Sequence, residues 1–491
     1  DYSKIIGNKG KEIIRKDKSF NKTKFFPDSR INYSENILKN KTNDIAINFL
    51  SEAGFEENIS WNLLYKKVCK FSDYLKSLNL EKGDRVAAYV PNKIESIIAF
   101  LACAKNGIIW SSCSPDFGEQ GVVDRFKQIE PKILITSDYY FYNGKKINIL
   151  EKVKNILTKI PTIKKTIVFP YNQKEKTTFE NFVDFNEVLN NSNLDENFER
   201  FDFNHPIYVL YSSGTTGKPK CIMHGAGNVL IEHNKEFILH CDIKNKEKLF
   251  YFTTTGWMMW NWLIGGLATG SSIFLYDGSP TYPKIDILLE YCQDKKINLF
   301  GVSAKYIDHL KNENFNSKHL DLNSIKIITS TGSPLAEESF KYVYDNIKQD
   351  VHLASIAGGT DMVGCLVLGN LYSNVYKGEI QGQSLAIDID VFTEDGKSTK
   401  DGEKGELVVK QPFPSMPVKF WGDDTGEKYH NAYFNRFKNI WHHGDFIERT
   451  PNNGFIMRGR SDATLNPGGV RIGTSEIYQQ VEDIEYITEG L

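Results

Sequence analysis

YSSGTTGKPK, at residues 211–220, decides how the rest of the chain is read. It follows the apolar run IYVLY at 207–211, which reads as a buried strand. Ser212, Ser213, Gly214, Thr215, Thr216 and Gly217 come next, and then Lys218 and Lys220. Glycines let backbone N–H groups turn toward an anion, hydroxyls add donors and lysines add charge, so the stretch reads as a phosphate cradle. It departs from the Walker loop. Only Thr215 and Thr216 separate its glycines, and Pro219 follows Lys218 where that loop carries Ser or Thr. A P-loop phosphohydrolase fails on this spacing, whereas a plain Ser/Gly/Thr loop has the same composition.

The chain around it has 491 residues and a net charge of −2. That length predicts more than one domain, and the balanced charge argues against nucleic acid or an anionic membrane as partner. The seven cysteines stand singly, without a C-x-x-C pair. Structural zinc is not expected, and a reducing, cytoplasmic setting is the default. The chain does not open on methionine, so its first residue says nothing about a targeting segment. Residues 256–276 carry no charge and are long enough to span a bilayer. Four glycines and several polar residues interrupt them, however, and a break at Gly270 predicts a soluble helix followed by a strand.

The expected fold class is α/β. Residues 1–40 are polar and lysine-rich and read as an extended leader that packs a few side chains, such as Tyr33 and Leu38, on a larger body. From Ile45 short apolar strands alternate with helical patterns: strands near 84–90, 107–110, 132–136, 249–254, 298–302 and 325–330, and helices near 94–104, 119–129, 257–267 and 284–295. Ile94, Ile97, Ile98 and Leu101 predict one apolar helix face. Such alternation predicts two mostly parallel sheets covered on both sides. After Gly378, short strands with Asp395-Gly396 and Asp401-Gly402 turns predict an antiparallel, barrel-like addition.

Six stretches in order carry a resemblance across nearly the whole chain. They are the phosphate loop, TTTGWMMWN at 253–261, TSTGSPL at 329–335, IAGGTD at 356–361, HHGDF at 442–446 and RGRSDATLNPGGVRIGTSEI at 458–477. Together they resemble the adenylate-forming (AMP-forming) acyl-CoA synthetases. SRINYSEN at 29–36, SSCSPDFG at 111–118 and YNGK at 142–145 are similar to the branch that activates acetoacetate. The resemblance implies a large adenylating domain over 41–461 and, over 462–491, a hinge with the start of a small C-terminal α/β domain. It implies a ligase that joins a carboxylate to CoA, with ATP, Mg²⁺ and CoA as cofactors and AMP and pyrophosphate as products.

Residue by residue, the resemblance assigns Thr215, Thr216, Lys218 and Thr360 to the catalytic steps at phosphate. Ser212, Ser213, Gly214, Gly217 and Lys220 complete the cradle. The turn Gly332, Ser333, Pro334 is implied to lie along the adenine, with Gly358 and Gly359 nearby. Asp445 corresponds to the carboxylate that holds the ribose hydroxyls, and Arg460 and Arg471 to arginines near ribose or phosphate. Asp361 stands where the family has a glutamate that binds magnesium. Asp has a shorter reach but suits a hard cation that takes one carboxylate plus phosphate oxygens. Asp462 matches the hinge about which the small domain swings, and Tyr142 and Lys145 match contacts to the CoA nucleotide. Trp257, Met258 and Trp260 are expected to line the acyl pocket, although aromatic and Met runs are as often plain core. Gly358 aligns with a tryptophan of acetate-using relatives, which predicts room for a longer acid. His442 and His443, adjacent on a strand, point to opposite faces and read as packing residues. The catalytic lysine of the family falls beyond residue 491. The competing readings are a carrier-protein-loading adenylation domain and a non-catalytic nucleotide- or acyl-binding module.

Overall fold

The computed structural model describes residues 4–175, 181–212 and 218–461. Two large sheets dominate it. The eight-stranded sheet runs, in spatial order, Val183–Asp184, Lys165–Phe169, Ile133–Ser137, Arg85–Tyr89, Ile109–Cys113, Pro206–Ser212, Lys220–Gly225 and Lys419–Phe420. Its pairings are parallel as far as Pro206–Ser212, and the last two are antiparallel. The seven-stranded sheet runs His352–Ser355, Ile327–Thr331, Leu299–Ser303, Lys248–Tyr251, Ser272–Asp277, Ile45–Ser51 and Glu56–Ser60. It is parallel except for its final pair. Parallel strands need crossover connections that cover both faces, so their side chains are buried on both sides. ILITS at Ile133–Ser137 is buried at every position.

The helix Ile94–Lys105 differs from the expectation of a single apolar face, because all its residues are buried. It packs on Ile109–Cys113 of one sheet and on Ile45–Ser51 of the other, so no side is left for water. The uncharged stretch divides as predicted. Helix Met258–Gly265 and a 3-10 turn, Gly266–Thr269, end at Gly270, whose φ of +86° turns the chain into strand Ser272–Asp277. Among the described residues no helix is long and apolar enough to cross a membrane.

Near the N-terminus, Tyr33 and Leu38 are buried, and Arg30–Ile31 pairs with both Gly7–Asn8 and Phe201–Asp202. Beyond residue 378 the chain builds an antiparallel sheet in the order Ile389–Phe392, Lys404–Val409, Trp441–Arg449 and Phe455–Arg460. A smaller antiparallel sheet, Ala357–Gly359, Gly364–Leu368 and Gly382–Gln383, stands beside the site described next.

Candidate active site

A cavity of about 350 Å³ opens where several parallel strands of the seven-stranded sheet end. Ligand sites of open α/β sheets form at such carboxyl ends, because the loops there diverge. Strand Ile327–Thr331 delivers the turn Gly332, Ser333, Pro334 to the cavity wall, and Gly332 makes the turn with φ +93°. The next strand leads to Ile356 and the short strand Ala357–Gly359, which brings Gly358, Gly359 and Thr360 to the wall. Trp257, Met258 and Met259, from the start of helix Met258–Gly265, form another side. Asp445 and Arg460 close it from the antiparallel sheet.

Asp445 and Arg460 are register partners on strands Trp441–Arg449 and Phe455–Arg460, and their side chains pair at 2.8 Å. Alternation puts Trp441, His443 and Asp445 on one face of their strand and His442 on the other. His442 accordingly meets Glu406 at 2.9 Å, while the His443 Nε2 lies 3.4 Å from Asp445 Oδ2. The opposite-face reading of the two histidines therefore holds, but His443 is more than packing. It stands against the proposed ribose carboxylate, and the two-residue period counted back from Asp445 was the signal for it.

Asp361 is buried, and Tyr433 donates to its Oδ1 at 2.6 Å. The Lys220 Nζ stands 4.0 Å from the same oxygen. Oδ2 turns the other way: a methyl group at Gly359 would lie 3.0 Å from it and 3.2 Å from His443 Nε2. His224 packs behind Asp361. Burial pushes its imidazole down to about 3 against the pull of that carboxylate, so the ring is neutral and leaves the Asp361 charge to other partners. Among the described residues, no group of three or more His, Cys, Asp and Glu side chains gathers as a metal cage. A magnesium ion at Asp361 would have one protein carboxylate and would draw its other ligands from phosphate oxygens and water, a donor set that suits Mg²⁺. The oxygen facing Gly359 and His443 fits that role.

Two expectations are corrected. Trp260 does not line the cavity: it is fully buried, stacks on Trp110 at 6.3 Å and donates to Asn92 at 3.0 Å. Helical periodicity turns it inward while Trp257 and Met258 face the cavity. Gly358 borders the cavity through its backbone, but it does not owe its place to room left for a longer acid. A Cβ there would stand 2.0 Å from the Gly364 carbonyl oxygen and 2.6 Å from Cys365 Cα, in the neighbouring strand rather than in open space.

The remaining assignments divide. Lys218 is exposed, Ser212 is buried at the end of its strand, and Lys220 reaches Asp361. Tyr142 and Lys145 flank an Asn143-Gly144 turn whose N–H groups donate to Glu52 at 3.0 and 2.8 Å, away from the cavity lining. Ser213, Gly214, Thr215, Thr216, Gly217, Asp462 and Arg471 lie outside the described residues. Sequence reasoning passed over the support behind the acyl wall. Glu236 accepts from the Cys365 N–H and from the Trp262 indole, both at 2.6 Å, and burial together with Glu232 holds its carboxyl above the usual carboxylate range. Cys365 itself lines the cavity.

Comparison with known proteins gives a consistent result. The family described as AMP-binding enzyme matches residues 35–416. An acetoacetyl-coenzyme A synthetase of Rhizobium meliloti (strain 1021) is 47% identical over 496 residues, covering 100% of this chain and 76% of its own length. Acetoacetyl-CoA synthetase of Gallus gallus is 41% identical over 509 residues, covering 100% of this chain and 75% of its own. The solved structure of acetoacetyl-CoA synthetase from Streptomyces lividans superposes with a TM-score of 0.88 at 36% identity, over 99% of this chain and 75% of that one.

Proposed function

This chain belongs to the AMP-binding enzyme family, and we propose that within it the protein is an acetoacetate–CoA ligase that works through an acyl-adenylate. The observation that carries this reading is identity to acetoacetyl-CoA synthetases along the whole chain, 47% in the bacterial relative. In the first step a carboxylate oxygen of acetoacetate attacks the α-phosphorus of ATP. The P–O bond to the β-phosphate breaks, and pyrophosphate leaves with its electron pair. In the second step the CoA thiol loses its proton, its sulfur attacks the acyl carbon, and the bond to AMP breaks.

Little covalent chemistry falls to the protein, so placement and charge stabilisation carry the catalysis. The turn Gly332–Ser333–Pro334 offers a backbone surface for the adenine, and Asp445 two acceptor oxygens for the vicinal ribose hydroxyls. Arg460 holds Asp445 from one side. Lys218, Lys220 and Thr360 are assigned to the phosphates together with Thr215 and Thr216, and Asp361 to magnesium, which when bound neutralises charge on the departing pyrophosphate. Trp257, Met258 and the backbone of Gly358 and Cys365 bound the space for the short acid. Tyr142 and Lys145 are assigned to the nucleotide end of CoA, Asp462 to the hinge between 41–461 and the smaller domain, and Arg471 to a later contact with phosphate.

The test is product analysis with acetoacetate, acetate and butyrate, each supplied with ATP, Mg²⁺ and CoA. Acetoacetyl-CoA and AMP should form fastest. Butyrate matches acetoacetate in length but lacks the keto oxygen, and it should be poorly used if a site group donates to that oxygen. Equal use of butyrate would overturn the assignment of acetoacetate, and release of ADP would overturn the adenylate route.

A further inference from the structure

The proposed metal carboxylate and the proposed ribose carboxylate come from different parts of the chain, yet one set of side chains touches both. Tyr433, from helix Glu427–Tyr433, donates to Asp361 Oδ1 at 2.6 Å. Its ring lies flat on Trp441, with centroids 3.7 Å apart and planes 13° from parallel. The Trp441 Nε1 faces His443 Nδ1 at 3.4 Å. An indole N–H can only donate, so Nδ1 accepts and the hydrogen of the neutral ring sits on Nε2. Nε2 is 3.4 Å from Asp445 Oδ2 and 3.5 Å from the Gly358 carbonyl oxygen. Tyr433, Trp441 and His443 are all buried, and Trp441 and His443 share the strand face that presents Asp445. The Lys220 ammonium lies over the Tyr433 ring, 5.6 Å from its centroid, and completes the contact with the phosphate-loop side.

Resting on the functional reading above, we infer that Tyr433, Trp441 and His443 are positioning residues: a single rigid frame that sets the spacing between the carboxylate for the metal–triphosphate end of ATP and the carboxylate for its ribose. The physical reason is geometric. A carboxylate on a short Asp side chain can turn either oxygen to a ligand, and each turn changes the distance to the nucleotide. Tyr433 takes Oδ1 and so commits Oδ2 to the side of Gly359 and His443. His443, with its hydrogen on Nε2, does the same for Asp445. Stacking of Tyr433 on Trp441 makes the two constraints one, because neither ring can shift without the other. Two ends of one ligand are then gripped at a fixed separation, and less ordering remains to be done when the nucleotide binds.

The frame makes different predictions at its two ends. Tyr433→Phe keeps the ring and its stacking but loses the hydroxyl. Titration calorimetry on the 491-residue chain should give weaker binding of ATP with Mg²⁺, by about tenfold, the size of one hydrogen bond to a charged group. Binding of AMP, and of ATP in EDTA, should stay within about twofold of wild type, since neither uses the metal end. His443→Asn should weaken AMP but affect 2′-deoxy-AMP less, and melting temperatures taken alongside should report folded protein for both variants. Unchanged binding of ATP with Mg²⁺ by Tyr433→Phe, or an equal loss for all three nucleotide conditions, would overturn the frame. The same holds if His443→Asn weakens AMP and 2′-deoxy-AMP alike. A wild-type chain that binds no nucleotide would overturn the functional reading, and the frame with it.

Discussion

Asp445 is 5% exposed and sits between Arg460 and His443, so its charge is both paired and aimed. Asp445→Ala removes the acceptor for two ribose hydroxyls and also leaves Arg460 without this partner. ATP affinity should fall by about 1.5–3 kcal/mol, the range for bonds to a charged group, with a smaller loss for the 2′-deoxy nucleotide. Calorimetry with both nucleotides checks this, and equal losses would make the residue structural. Gly358 leads to a different kind of prediction. Its missing Cβ would meet the backbone of Gly364 and Cys365, which cannot swing aside as a side chain could. Gly358→Ala should therefore lower stability by about 1–3 kcal/mol through overpacking and leave the order of preferred acids unchanged. A bulkier residue there should impair folding rather than create an acetate enzyme. Thermal melts together with kcat/KM for acetate and acetoacetate separate the two outcomes.

Helix Ala226–Lys235 supports the acyl wall from behind. His233 is buried in it, and its Nε2 meets the Val363 carbonyl at 2.8 Å, next to the strand that carries Gly364 and Cys365. Its other nitrogen packs against helix Met258–Gly265 so closely that a Cβ on Gly265 would stand 2.1 Å away. Burial pushes the His233 imidazole down to about 4. The folded state thus favours the neutral ring, while an unfolded chain protonates it near the ordinary histidine value. Its contribution to stability is complete above the ordinary value and is lost as pH falls toward 4. His233→Gln keeps a donor for Val363 but cannot titrate. The variant should melt lower at about pH 7 yet lose less on acidification to about pH 5 than wild type. Parallel melting curves against pH would show this, and identical slopes would contradict it.

Across the whole molecule, the alternation of strands and helices was legible because parallel strands buried on both faces must be continuous apolar runs. Helix 119–129 and the break at Gly270 could be read directly, since both depend on local periodicity or backbone freedom. What needed the third dimension was direction. Ile94–Lys105 has an apolar face in sequence, but only its position between two sheets explains why its other faces are buried too. Trp257 and Trp260 look alike in sequence, and one faces the cavity while the other stacks on Trp110. Tyr433 is 72 residues from Asp361, so no local pattern announces their hydrogen bond. The central claim is that this cavity joins acetoacetate to AMP before CoA takes part. Exchange of labelled pyrophosphate into ATP, with Mg²⁺ present and CoA omitted, tests it most directly. The account predicts exchange that depends on acetoacetate and stops without it, whereas exchange indifferent to the acid, or none with acetoacetate until CoA is added, would contradict it.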